Sequence, residues 1–157
     1  MIALLDNTVM SNFAAIERPD LLRTAFGSGL ATSQQAFDEL QAGVSLGKLP
    51  RLDWSWLPVW TVEEAELPHY HRFLSRLNAG EAACLAISLT RDCRILTDDR
   101  DAREYARRLE IPLSGTLGIF VRLIDIGSLN LEEADAFLSQ MMAAGYRSPV
   151  ASLIDLV

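Results

Sequence analysis

Arg94-Ile95-Leu96-Thr97-Asp98-Asp99 and Ile2-Ala3-Leu4-Leu5-Asp6 are built alike: a few apolar, partly β-branched residues that end on acid. Each run is short and continuously apolar, as a strand buried on both faces of a parallel sheet should be. Between and after them lie stretches with helical spacing. Thr8 to Ile16 reads as a helix, and Pro19 starts a short one carrying Leu21, Leu22, Ala25 and Phe26 until Gly27 to Gly29 break it. Leu30 and Ala31 form a weak strand candidate, after which Thr32 or Ser33 caps a helix with Ala36, Phe37, Leu40 and Val44 on one stripe. Residues 47–60 read as a loop holding Trp54, Trp56 and Trp60.

Three pairs have capping-box spacing: Thr61 with Glu64, Asn78 with Glu81, and Asn130 with Glu133. The first predicts a helix with Tyr70, Phe73, Leu74 and Leu77 on one face, either kinked or begun at Pro68. The second predicts a helix of small residues, Ala82 to Ile87, able to pack close to a sheet. Ala102, Tyr105, Ala106 and Leu109 continue the pattern, followed by a short strand at Ile111 to Leu113 and an apolar helix from Gly115 to Gly127. After the Asn130 helix, which Gly145 stops, Ser148-Pro149 predicts a last helix with Val150, Leu153, Ile154 and Val157 on one face. Short strands alternating with helices describe an α/β fold with a parallel sheet. With 157 residues and no linker or repeat, one domain spanning 1–157 is expected.

Composition narrows the function. A net charge of −7 argues against a passive polyanion binder, but not against an enzyme that gathers carboxylates around a cation. Of the 14 basic residues only Lys48 is lysine; the arginines can grip phosphate bidentately, although base composition of the genome explains the bias equally well. No apolar run approaches the ~20 residues of a membrane helix, and the N-terminus has neither the basic start nor the cleavage site of a signal peptide. A cytoplasmic protein with reduced thiols at Cys84 and Cys93 is expected.

In open parallel sheets ligands bind beyond the C-terminal strand ends, where strand order reverses. If the two acid-tipped strands are neighbours, Asp6 and the Asp98–Asp99 pair converge, and like charges held together call for a cation between them. Oxygen ligands suit Mg²⁺ or Mn²⁺. Each acid also has a plainer reading. Asp6, Asp98 or Asp99 can cap the helix that follows, Glu81 can be only the capping-box partner of Asn78, and Glu39 can be a solvated helix residue.

At this point the order of motifs resembles the PIN domain, and within it the toxin-like proteins of bacterial and archaeal toxin–antitoxin operons. Leu5-Asp6-Asn7-Thr8 resembles the first motif, Ala36-Phe37-Asp38-Glu39-Leu40 the second, Gly80-Glu81-Ala82-Ala83 the third, and Leu96-Thr97-Asp98-Asp99-Arg100 the fourth. Ile111-Pro112 and Ser114 to Ile119 resemble the segment that follows in one subgroup. The resemblance covers nearly the whole chain. It implies a three-layer α/β/α fold with a parallel sheet ordered 3-2-1-4-5, Mg²⁺ or Mn²⁺, and hydrolysis of RNA phosphodiester bonds. It also implies homodimerisation and inhibition by a small antitoxin. Carried over by position, the metal ligands are Asp6, Glu39, Glu81 and one of Asp98 and Asp99, with Asp99 fitting the motif better; Thr8 and Thr97 orient them. Glu81 stands where many relatives have Asp.

For catalysis this places Asp6, Glu39, Glu81 and Asp99 at the reacting centre, with Glu39 or Asp99 orienting the attacking water. Arg100 and Arg103 lie beside it in sequence, as RNA contacts or as solvated charges. The alternative is a catalytically weak or inactive module of the same fold acting through RNA or protein binding, which the acidic composition favours. A phosphatase of another doubly wound fold would want Asp-x-Asp where the chain has Asp6-Asn7-Thr8. His69 and His71 point to different faces of a helix and share no metal. The tryptophans are loop anchors before they are base platforms, and Met141 and Met142 are core or a dimer seam.

Overall fold

The structure, a computed structural model, describes residues 1–157. Its sheet has five parallel strands: β1 (Ala3–Leu5), β2 (Leu30–Ser33), β3 (Val59–Trp60), β4 (Arg94–Leu96) and β5 (Leu113–Ser114). They lie side by side in the order 3-2-1-4-5, flanked by helices, which is the expected three-layer α/β/α arrangement. Leu4 is fully buried between its neighbours, and Ala3 and Leu5 join the main core of 33 buried residues on the other side of the strand. That two-sided burial is why the acid-tipped runs show no polar alternation.

The helices are α1 (Asn7–Ala15), α2 (Asp20–Phe26), α3 (Gln34–Ser45), α4 (Leu67–Phe73), α5 (Ala79–Arg91), α6 (Arg100–Arg108), α7 (Thr116–Asp125) and α8 (Leu131–Ala143). Ser33 caps α3 by accepting from the Ala36 N–H, and the Asn78–Glu81 and Asn130–Glu133 boxes form as their spacing predicts. From Gly80 to Ser88, α5 is buried on every side, which its small residues permit.

Four expectations need correction. The first capping box forms two residues later, between Glu63 and Glu66, and opens a short 3₁₀ turn (Glu64–Glu66) ahead of α4. Glu66 is the better partner because its buried carboxylate also receives Arg91 and Thr90. The presumed loop 47–60 ends in an edge strand, β3, because Thr32 and Ser33 offer it a register. No helix forms after Ser148. Asp135 of α8 instead takes the Ser152 hydroxyl (2.6 Å) and the Leu153 N–H (2.8 Å), so that only Leu153 of the predicted face is buried. The fourth strand-like run also slips, from Ile111–Leu113 to Leu113–Ser114.

The remaining signals are structural. Trp54 is buried with Trp56 stacked at 5.8 Å, and Arg91 lies over Trp60. His69 pairs with Arg72, Met141 is core, and Cys84 and Cys93 are buried free thiols. No helix is long and apolar enough to cross a membrane.

Candidate metal centre

Register alone brings the strand-end acids together. Leu5 pairs with Leu96 across β1 and β4, and the Asp6 N–H donates to the Leu96 carbonyl (2.9 Å). Asp6 therefore stands beside Thr97. Although it occupies the N-cap position of α1, its side chain makes no capping bond. Its Oδ2 accepts instead from the hydroxyls of Thr97 (2.8 Å) and Thr8 (3.1 Å). Its Oδ1 is buried and has no hydrogen-bond partner. Burial raises the Asp6 carboxyl to about 6, against the lowering effect of the Thr97, Asn7 and Thr8 bonds.

Glu39 arrives from α3. It is not a freely solvated residue: its half-buried carboxylate accepts the Gly80 N–H at 2.8 Å, and burial raises its pKa against that bond. Gly80 makes this possible, since a Cβ there would stand 2.6 Å from Glu39 Oε2. Glu81 follows on the first turn of α5. Its capping bonds with Asn78 are real, yet only 6% of the residue is exposed. Burial, then the charges of Asp6 and Asp99, and more weakly Glu39, push Glu81 up to about 8 against the Asn78 backbone bond. Four carboxylates from four chain segments thus share one field.

The Asp98–Asp99 pair divides. Asp99 caps α6 by accepting from the Ala102 N–H (2.8 Å) through Oδ2 and contributes to the field at Glu81. Asp98 is committed elsewhere. Its Oδ1 accepts the Thr116 N–H (2.9 Å), and its Oδ2 accepts the Thr116 hydroxyl (2.5 Å) and the Asn12 amide (3.0 Å). It secures the start of α7, so that of the two acids expected as metal ligands only Asp99, the one fitting the motif better, keeps a carboxylate oxygen without a protein donor. Thr97 also receives the Asp99 N–H on its hydroxyl (3.1 Å), and Thr8 receives the Asp98 N–H (3.0 Å), so both threonines orient the strand end as well as Asp6. Arg103 folds back to donate to the Thr97 carbonyl (2.9 Å), while Arg100 is exposed.

Gly80 entered the sequence reading only as part of the third motif, with no role of its own, and Asn12 had no place in it. The first had a signal, a glycine directly before the acid in a helix start; the second, a polar residue on α1 that reaches Asp98 across 86 positions, had none.

A five-stranded parallel sheet with Asp6, Glu39, Glu81 and Asp99 gathered at its C-terminal edge is the plan of a PIN domain, a nuclease-type fold whose members are generally metal-dependent hydrolases. More narrowly, the family model DUF3368, described as a PIN domain, matches residues 2–154, and the chain belongs to that family. No curated protein matches the chain.

The side chains as they stand do not close into a chelating group of three. The donor set nevertheless fits a divalent cation. It consists of hard oxygens only, one of them the partnerless Oδ1 of Asp6, and it carries like charges with no cationic side chain paired to any of them.

Proposed function

We propose that the protein is a divalent-metal-dependent endoribonuclease that hydrolyses RNA phosphodiester bonds with Mg²⁺ or Mn²⁺. The observation that carries this reading is the buried, partnerless Oδ1 of Asp6 among three further carboxylates. Asp6, Glu81 and Asp99 would hold the ion, with Glu39 beside them. When bound, the ion supplies charge to polarise the scissile phosphate and to make water a better nucleophile.

The chain's own residues do the rest. Thr97 and Thr8 fix Asp6 through Oδ2, leaving Oδ1 as the free donor. The Gly80 N–H fixes Glu39 through Oε1, so Oε2 is the oxygen available to orient an incoming water. Asp99 keeps Oδ1 free while Oδ2 caps α6. Buried walls under Asp6 lower the local dielectric and strengthen each of these interactions.

Membership of a toxin–antitoxin pair, with a small antitoxin as inhibitor, a homodimeric state and a cytoplasmic location, belongs to the same proposal and is supported by the motif resemblance.

Incubation of purified protein with labelled RNA and Mn²⁺ tests the reading. Cleavage is expected from the unmodified chain, and a loss of ~10²-fold or more is expected from Asp6→Asn, the scale on which single electrostatic stabilisers act. Cleavage that survives Asp6→Asn sinks the assignment. RNA binding without cleavage would favour the binding-module alternative.

A further inference from the structure

Two cavities lie next to the carboxylates. A cavity of about 390 Å³ opens beside Thr8, which donates to Asp6, and runs past Asn12 to Asp98, Tyr146 and Arg147. A second cavity, of about 330 Å³, shares Asp98, Tyr146 and Arg147 and extends between Arg103, Leu117 and Pro149. The shared lining makes one trough with Tyr146 and Arg147 at its divide. Each half is large enough for a small organic group, since such sites start at ~300 Å³.

Two arginines, Arg103 and Arg147, line the trough. The ion pairs of the structure occupy Arg18, Arg91 and Arg108, and leave Arg103 and Arg147 without a carboxylate partner. Arg103 spends one N–H on the Thr97 carbonyl, and Arg147 is exposed. The one acid in the wall, Asp98, already accepts from three donors. Tyr146 presents a half-buried ring between the two cavities, and burial together with the Asp98 charge keeps its phenol protonated, as a donor. The segment is held in place. Gly145 turns the chain at φ +116°, the Tyr146 N–H bonds to the Met141 carbonyl (2.9 Å), and Asp135 anchors Ser152 and Leu153.

We infer that this trough is a subsite for the nucleotide adjoining the scissile phosphate of single-stranded RNA, with Tyr146 stacking on the base and Arg103 and Arg147 taking the phosphate. It rests on the nuclease reading for the path by which the strand leaves the acids. Free guanidinium groups beside an aromatic ring match a polyanion with unstacked bases, whereas a duplex hides its base faces.

The test is binding, in an Asp6→Asn background without divalent ion. A short randomised single-stranded RNA carrying a fluorophore is titrated and its anisotropy read at several salt concentrations. Tyr146→Ala is expected to weaken binding roughly 5- to 100-fold, the range for loss of one base–aromatic stack, while Tyr146→Phe binds as its parent does. Arg147→Gln, at an exposed position that does not endanger folding, should lower the slope of log affinity against log salt by about 0.7. Equal binding by all variants overturns the subsite, as does equal loss for a duplex of the same length. If the unmodified protein cleaves RNA while the variants bind like their parent, the subsite fails and the nuclease reading stands. Tyr146-dependent binding by a protein that cleaves no RNA keeps the trough as an RNA-binding surface but overturns its place beside a scissile phosphate, together with the nuclease reading.

Discussion

Replacing Glu81 by glutamine should make the metal-free protein more stable at alkaline pH and slightly less stable in acid. Glu81 is pushed from its ordinary 4.5 to about 8 by burial and by the Asp6 and Asp99 charges. An acid raised in this way contributes its stability below the unfolded value, near 4.5, and loses it as pH rises through about 8. Taken without screening, ionisation above both values costs about 4–5 kcal/mol at about 1.4 kcal/mol for each factor of ten. Only 6% of the residue is exposed, but relaxation and water penetration around an ionised buried group reduce the cost to roughly 2 kcal/mol. Glutamine retains an acceptor for the Asn78 N–H, so the capping box survives. It gives up the bond from the Asn78 amide (3.1 Å). That loss costs about 0.5 kcal/mol at a partly solvated site. The net gain at about pH 8.5 is ~1–2 kcal/mol, or roughly 3–6 °C in Tm for a chain of this size. Thermal unfolding in EDTA across about pH 4 to 9 reads it directly, and the two curves should cross in the acid range. Asp6, raised to about 6, titrates with the same sign in both proteins and does not generate the difference. Millimolar Mn²⁺ should then stabilise the unmodified protein more than the variant. A Glu81→Gln protein no more stable than its parent at high pH would refute the claim that these carboxylates share one field.

Two substitutions separate the adjacent acids. Asp98→Asn should cost ~1 kcal/mol through the start of α7 and leave the Mn²⁺-induced rise in Tm intact, whereas Asp99→Asn should reduce that rise; the reverse pattern would return Asp98 to the ion. Remote from the site, Glu66 is 2% exposed and is held down to about 2, because the Arg91 and Thr90 bonds outweigh the raising effect of burial. Being depressed, it contributes stability above its ordinary 4.5 that disappears as pH falls through about 2. Glu66→Gln should therefore lose ~1–2 kcal/mol at neutral pH, after allowance for water around the partly exposed Arg91, and the deficit should shrink in acid denaturation experiments.

Much of this protein follows from local pattern. Apolar runs ending on Asp6 and on Asp98–Asp99 specify buried parallel strands, and Asn78–Glu81 and Asn130–Glu133 specify helix starts, because side-chain period and capping act within a few residues. The motif order along the chain likewise pointed to the sheet order and to the four acidic positions. Local pattern could not choose between Thr61–Glu64 and Glu63–Glu66, since the choice depends on Arg91 and Thr90, some 25 residues away. Nor could it foresee that Asp135 would straighten the chain after Ser148, or that β3 would form on a neighbour's edge. The division of labour between Asp98 and Asp99 is also tertiary. Both sit at one strand end, and only the approach of Asn12 and Thr116 to the first decides which carboxylate keeps an oxygen without a protein donor. Sequence determined where charge would be placed along the strands and helices, because that needs only neighbours in the chain. Which of those charges remain unpaired was decided by contacts between distant segments, because a hydrogen bond forms only where folding brings its two partners within reach.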